Sequence, residues 1–333
     1  MSGAINVGPR YLSTGSPKRS THHRQPGHRR YSYENFIKKL PLNKGVPVKA
    51  VLSMTPCFFF LYVNFVVLVT LRSKAIFRET SRYILLTNML FVDTLQLLLC
   101  MLMYIFAVGK LYLSGFVCLV VLVSLSIGTR ISPINLAVMS LERYVAICFP
   151  LRHAEIATSR RTGVAIGVIW VLGSLNSLTD ILVFVITGST FASTSGFCSR
   201  SLVFHLEVYE VINKTYSAVY FLSVGVIIIY TYIGIMAAAR SAASDKMSAA
   251  KARKTVLLHL IQLGLYLASF LYDSISLVAY AHLDRMSALN IQYVMFLGLV
   301  IFPRCLSPLI YGLRDQMFRP ILLYFLCSLP VFP

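Results

Sequence analysis

The chain has 333 residues, 57% of them hydrophobic and only 13% charged, against roughly 25% charged in a soluble globular domain. Its formal net charge of +19 does not point to nucleic acid. No basic stripe interleaved with exposed aromatics lies on a soluble module, and Lys and Arg flanking membrane helices account for the charge. Seven Cys stand singly, without a CxxC pair or a Cys/His cluster, so no structural zinc site is expected. No HExxH, GxSxG or GxxxxGKS/T run occurs, so neither an enzyme activity nor a cofactor is expected.

Residues 1–45 form a separate zone, rich in Arg, Lys, Gly, Ser and Pro, with Glu34 the one acid and no apolar periodicity. This composition predicts disorder. The zone lacks the apolar centre of a signal peptide. Residues 46–333 form the membrane domain.

Seven apolar segments follow, at about 48–72, 82–108, 115–147, 163–187, 212–239, 254–280 and 290–312. Each is long enough for a spanning helix, which needs roughly 20 residues. Lipid leaves helices as the only choice for such runs, because every backbone group must be paired internally. The expected fold is an all-α membrane protein, a seven-transmembrane helix bundle. Residues 313–327 mix Arg314, Asp315 and Arg319 with Ile321, Leu322, Leu323, Tyr324 and Phe325, the pattern of a short amphipathic C-terminal helix lying on membrane lipids. Cys327 near its end is either a palmitoylation site or an unmodified Cys.

Lys and Arg counts bear on orientation. With the N-terminus outside, the inner loops hold fifteen and the three outer loops four, but the basic N-terminal zone brings its own side to fourteen. The counts nearly tie, and the motifs break the tie. Cys118 lies 25 residues before Arg143 in the third segment. That is about 37 Å of helix, so the two sit on opposite membrane faces. Cys198, in the long 188–211 loop, lies on the Cys118 side. An extracellular pair of this kind oxidises, so a Cys118–Cys198 disulfide, rather than two free buried thiols, is expected, with that side outside, the C-terminus cytoplasmic and the protein a multi-pass component of the plasma membrane.

Several polar residues fall inside the apolar segments, where they are costly without a task. Asp93 lies mid-helix, with Asn64 and Ser132 as polar residues able to face it. Arg304 is a second mid-membrane charge; it either pairs with Asp93 or faces a water-filled cavity. Arg130, with Ser126 and Thr129 beside it, and Asp180 and Asp273 fall in the outer halves of their segments. They form either an outward-facing ligand cavity or a structural Arg130–Asp bridge. Pro308, beside Ser307 and Tyr311, interrupts the seventh segment as a hinge or as a static kink. Asn213-Lys214-Thr215 is the one glycosylation sequon, close to the start of the fifth segment. Trp170 is expected to pack.

The run Met139 to His153 carries a Glu142-Arg143 charge pair, then Tyr144 and an apolar turn, at the end of the third segment. It resembles the MAYDRYVAICxPLxY signature of the odorant (olfactory) receptors, within the rhodopsin-like, class A G-protein-coupled receptors, with Glu142 in place of Asp. Lys251 to Leu260 keeps the Lys, Ala, Thr, His and Leu of the olfactory KAFSTCxSHL run. Leu306 to Asp315 resembles LNPxIYSLRN, with Ser307 for the first Asn. Asn64, Asp93 and Trp170 match signature positions of the wider class. The resemblance covers about residues 48–320; its departures suggest a divergent, outlying branch.

The resemblance implies a receptor that binds a small-molecule odorant in the outer half of the bundle and activates a heterotrimeric G protein of the stimulatory, olfactory type. It implies that Glu142, Arg143, Tyr144, Tyr232, Lys251, His259, Pro308 and Tyr311 serve coupling and switching. A non-olfactory rhodopsin-like receptor is the alternative. A seven-helix transporter or channel would need a continuous charged path and related halves, and the sequence has neither.

Overall fold

The structure, a computed structural model, describes residues 45–109, 111, 113–187, 198 and 207–241, scattered positions from 257 to 282, residues 283–306 and residue 320. Almost all of them are helical. In chain order the helices are α1 (Gly45–Ser73), α2 (Ala75–Glu79), α3 (Ser81–Val108), α4 (Gly115–Cys148), α5 (Pro150–Ile156), α6 (Ser159–Thr187), α7 (Glu207–Ser241) and α8 (Arg285–Met295). A π-helical turn, Phe296–Ile301, continues α8, and the chain stays helical to Leu306.

Among the described residues five stretches are long and apolar enough to cross a bilayer: Met54–Ser73, Ser81–Phe106, Gly115–Cys148, Ser159–Ile186 and Val211–Ala238. Asn290–Leu306 is a shorter apolar helix belonging to the seventh segment. The sixth segment is described only at scattered helical positions, among them Leu257, Ile261, Gly264, Tyr266 and Tyr272. The N-terminal zone and the expected C-terminal amphipathic helix, Pro320 apart, lie outside the described residues.

The spans are helical for a solvent reason, and their polar side chains obey it too. Thr70 donates to Val66 O at 2.8 Å, Thr87 to Tyr83 O at 2.8 Å and Ser174 to Trp170 O at 2.7 Å. Each hydroxyl thus folds back onto its own helix, which spares it from lying unpaired in hydrocarbon. The opposite faces are plainly apolar. Val164, Val168, Val171, Leu175, Leu178, Leu182 and Val185 of α6 are all exposed. Such a face would be a fault in water and is the surface that lipid covers.

Helix α4 organises the bundle. It packs against α3, α6 and α7, and more of it is buried than of any other span. One core cluster joins Val67, Leu71, Leu85, Met89, Leu90, Ile131 and Ile169 to Tyr266. A polar seam runs beside it. Trp170 donates to Asn88 Oδ1 at 3.0 Å, Asn88 donates to Asn135 Oδ1 at 3.1 Å, and Asn135 donates to Leu85 O at 2.9 Å. Trp170 therefore packs and also closes a hydrogen-bonded link between α3, α4 and α6. The packing expectation missed that bond because an indole N–H gives no periodic signal.

Candidate functional site

The two ends of α4 are built differently, and the polar middle joins them. At one end Cys118 is wholly buried and forms a disulfide with Cys198, with Cα atoms 5.4 Å apart. Leu113, Leu119, Leu122 and Phe184 pack around it. The bond pins Cys198 onto the top of α4.

Three turns down α4 from Cys118, Arg130 is 2% exposed. One terminal nitrogen donates to the Oγ and backbone O of Ser126, and the other to Asn213 Oδ1 at 2.9 Å. Asn176 donates to that same Asn213 oxygen at 2.9 Å. The guanidinium also lies 5.8 Å from the centre of the Tyr216 ring, a cation–π distance, and the Tyr220 hydroxyl donates to Arg130 O. Asp180, one turn beyond Asn176 on α6, is fully buried, as is Ser177, whose hydroxyl has no hydrogen-bond partner. The cluster thus draws α4, α6 and α7 together. Asn213, the sequon residue, belongs to it rather than to an open face. Its carboxamide oxygen is shared by Arg130 and Asn176.

The patch expected around Arg130 is split. Ser126 faces Arg130, whereas Thr129 faces α3: it donates to Leu125 O at 2.7 Å and accepts from Gln96 Nε2 at 2.9 Å. Successive residues of a helix point about 100° apart, so Thr129 and Arg130 address different neighbours. Asp273 lies outside the described residues.

In the middle of the bundle Asp93 accepts from Ser132 Oγ at 2.9 Å and from the Tyr266 hydroxyl at 3.1 and 3.2 Å. No ion pair joins it to Arg304. Instead Arg304 Nε donates to Gln96 Oε1 at 2.7 Å, and a terminal nitrogen donates to Val300 O. Gln96 lies three residues beyond Asp93, on the same face of α3. It intercepts the guanidinium expected at the carboxylate. Gln96 Nε2 also donates to Leu125 O at 3.0 Å. Asn64 is fully buried on the α1 side of this core, and neither its oxygen nor its nitrogen finds a hydrogen-bond partner among the described residues. Ser307 lies outside the described residues.

At the other end of α4, Glu142 lies 3.8 Å from Arg143 and 3.2 Å from His153 of α5. The Arg143 side chain is 26% exposed. Tyr144 turns toward α7, its ring centre 5.8 Å from that of Tyr230 and 5.9 Å from that of Phe149. It lies directly against Gly234, where any Cβ would be driven into the ring. Ser140 and Thr231 share a hydrogen bond at 3.1 Å, and Cys148 Sγ reaches Gly234 O at 3.7 Å. Tyr232 is half-buried beside Thr231. On α5, Leu151 is 94% exposed, with Phe149 also exposed. Lys251, His259, Pro308 and Tyr311 lie outside the described residues.

Gln96, Asn176, Tyr220, Thr231 and Gly234 were not singled out from sequence. Gln96 carried a usable signal, a second polar residue at i+3 from Asp93 inside an apolar run. Gly234 carried none, since its role depends on which ring crosses it. Among the described residues no cluster of three or more His, Cys, Asp or Glu is suited to a metal ion.

A family model described as 7 transmembrane receptor (rhodopsin family) matches residues 63–311. Odorant receptor 131-2 of Danio rerio is 34% identical over 292 residues, covering 87% of this chain and 88% of that protein. Two human proteins, Olfactory receptor 4K2 and Olfactory receptor 4K15, are 25% and 26% identical over 255 and 263 residues. These matches cover 72% and 76% of this chain, and 76% and 78% of the respective relatives.

Proposed function

The chain belongs to the rhodopsin family of seven-transmembrane receptors, on its olfactory side, and from that premise we propose that it binds a small odorant at the Cys118 end and activates a stimulatory, olfactory-type G protein at the Arg143 end. It is a seven-helix, multi-pass membrane receptor of a family that signals rather than catalyses. In this reading the N-terminus is extracellular and the C-terminus cytoplasmic.

The observation that carries the proposal is the unequal construction of the two ends of α4. The Cys118 end is covalently locked and shaped around buried polar side chains. Such a site holds a geometry and discriminates among ligands by which hydrogen bonds they complete. The Arg143 end is held by longer charge contacts, with partly exposed cationic partners around a Glu142 side chain that is 10% exposed, and displays Leu151 to its surroundings. A 3.8 Å contact to a partly exposed arginine is weaker than a buried, hydrogen-bonded pair, so it exchanges partners more readily. Ligand binding favours one of two packings of the bundle by its differential affinity for them. In the resting packing Glu142 is shared by Arg143 and His153. In the active packing Arg143 leaves Glu142 for the G protein, and Leu151 with Phe149 supplies an apolar contact for it.

The test is cyclic AMP in cells expressing the full chain, measured against a panel of water-soluble odorants. A dose-dependent rise that needs the stimulatory Gα subunit supports the proposal. Ion currents or solute uptake without G protein would sink it.

A further inference from the structure

Arg304 is a full charge in the centre of the bundle, 3% exposed, and its hydrogen bonds run to a side-chain amide and a backbone carbonyl. The amide, Gln96, is 1% exposed and uses both of its ends: Oε1 accepts from Arg304 Nε at 2.7 Å, while Nε2 donates to Thr129 Oγ1 at 2.9 Å and Leu125 O at 3.0 Å. One side chain thus ties α3 to the turn of α4 that carries Thr129 and Arg130, and ties that turn to the helix bearing Arg304.

Two features show that this crossing is built rather than incidental. Gly128 leaves the room for it: a Cβ there would stand 2.8 Å from Gln96 Cγ and Nε2 and 2.9 Å from Cδ. Because Cγ lies near the root of the side chain, a methyl at 128 displaces the whole amide. On the other side, Val300, whose carbonyl takes the second Arg304 bond, lies in the π-helical turn Phe296–Ile301. Such turns interrupt a helix locally and occur often where helices do functional work.

We propose that Gln96 is a positioning residue for signalling: seated in the notch at Gly128, it holds Arg304 and so fastens the seventh segment to the ligand-side turn of α4 in the resting receptor. The inference rests on the receptor reading above. A buried polar network of this kind is stiff while every member is satisfied. Shifting that turn of α4 changes the seat of Gln96, and with it the restraint on Arg304.

The test is basal cyclic AMP per receptor at the cell surface, with the full chain and no added odorant. Gln96→Ala and Gly128→Ala should each raise it by about fivefold or more, the lower end of usual coupling between sites. The Gly128→Ala/Gln96→Ala double variant should match Gln96→Ala alone, since the new methyl then meets no side chain. Gln96→Glu, which keeps an acceptor for Arg304, should stay at or below the wild-type level. If Gly128→Ala fails to reach the surface, the double variant should restore it. Additive effects, unchanged or lowered basal signalling, or a double variant that stays inside while Gln96→Ala reaches the surface, would each overturn the link. A wild-type chain silent to the panel and to G protein overturns the receptor reading itself and takes the link with it, whereas a signalling wild type with additive variants overturns the link alone.

Discussion

The middle of the bundle and the Arg143 end hold their charges in opposite ways. In the middle, Asp93, Ser132, Tyr266, Gln96 and Arg304 form hydrogen bonds of 2.7–3.2 Å with no exposed member. At the Arg143 end, Glu142 faces Arg143 at 3.8 Å and His153 at 3.2 Å, with the arginine partly open to its surroundings. Hydrocarbon makes an unpaired charge costly, so the middle must be closed. Near the interface the same charges are cheaply re-paired. Solvent therefore sets how each region holds its polar groups, closed in the dry core and partly open at the edge.

That contrast can be broken by substitution, beginning with the largest effect. Asp93→Leu leaves the buried Ser132 and Tyr266 hydroxyls without their acceptor, and should destabilise the fold by about 1–3 kcal/mol for each of them. It should be read as loss of surface receptor and a lower thermal midpoint in detergent. Gly234→Leu drives a side chain into the Tyr144 ring and should cost about 1–3 kcal/mol through overpacking. Its signature is a lower midpoint together with impaired coupling, because the α4–α7 seam at that end is forced apart. Trp170→Phe deletes the donor to Asn88 and should cost about 1 kcal/mol, measured in the same melting assay, with coupling unchanged. Glu142→Gln should cost less stability than Asp93→Leu, its cationic partners being partly exposed, yet raise basal cyclic AMP. A Glu142→Gln variant that melts as low as Asp93→Leu would erase the distinction between the two regions.

How much of this was legible in the sequence depended on what set each feature. Long apolar runs announced the spans, because the thickness of the bilayer dictates their length. The Cys118–Cys198 disulfide was legible because the rise of one helix fixed which end of it Cys118 occupies. Side-chain partnerships were harder. Asp93 and Arg304 were the two mid-membrane charges, and pairing them ignored Gln96, one turn away and better aimed at the guanidinium. Ser126, Thr129 and Arg130 are adjacent in sequence yet divide between α7 and α3. Helix rotation decides such matters, and no run of residue types encodes it where apolar residues surround the polar ones on every face. Asn213 shows the same limit from the other direction: the sequon is visible in the chain, while its engagement by Arg130 and Asn176 appears only when three helices are assembled.

The central claim is that Arg143, lightly held by Glu142, is the group that engages the G protein. Nucleotide exchange on a purified stimulatory heterotrimer tests it most directly, with the full-length receptor in lipid nanodiscs and an agonist from the odorant panel. The wild type should accelerate exchange, Glu142→Gln should do so even without agonist, and Arg143→Ala should abolish it while retaining agonist binding. Full exchange by Arg143→Ala would contradict the account.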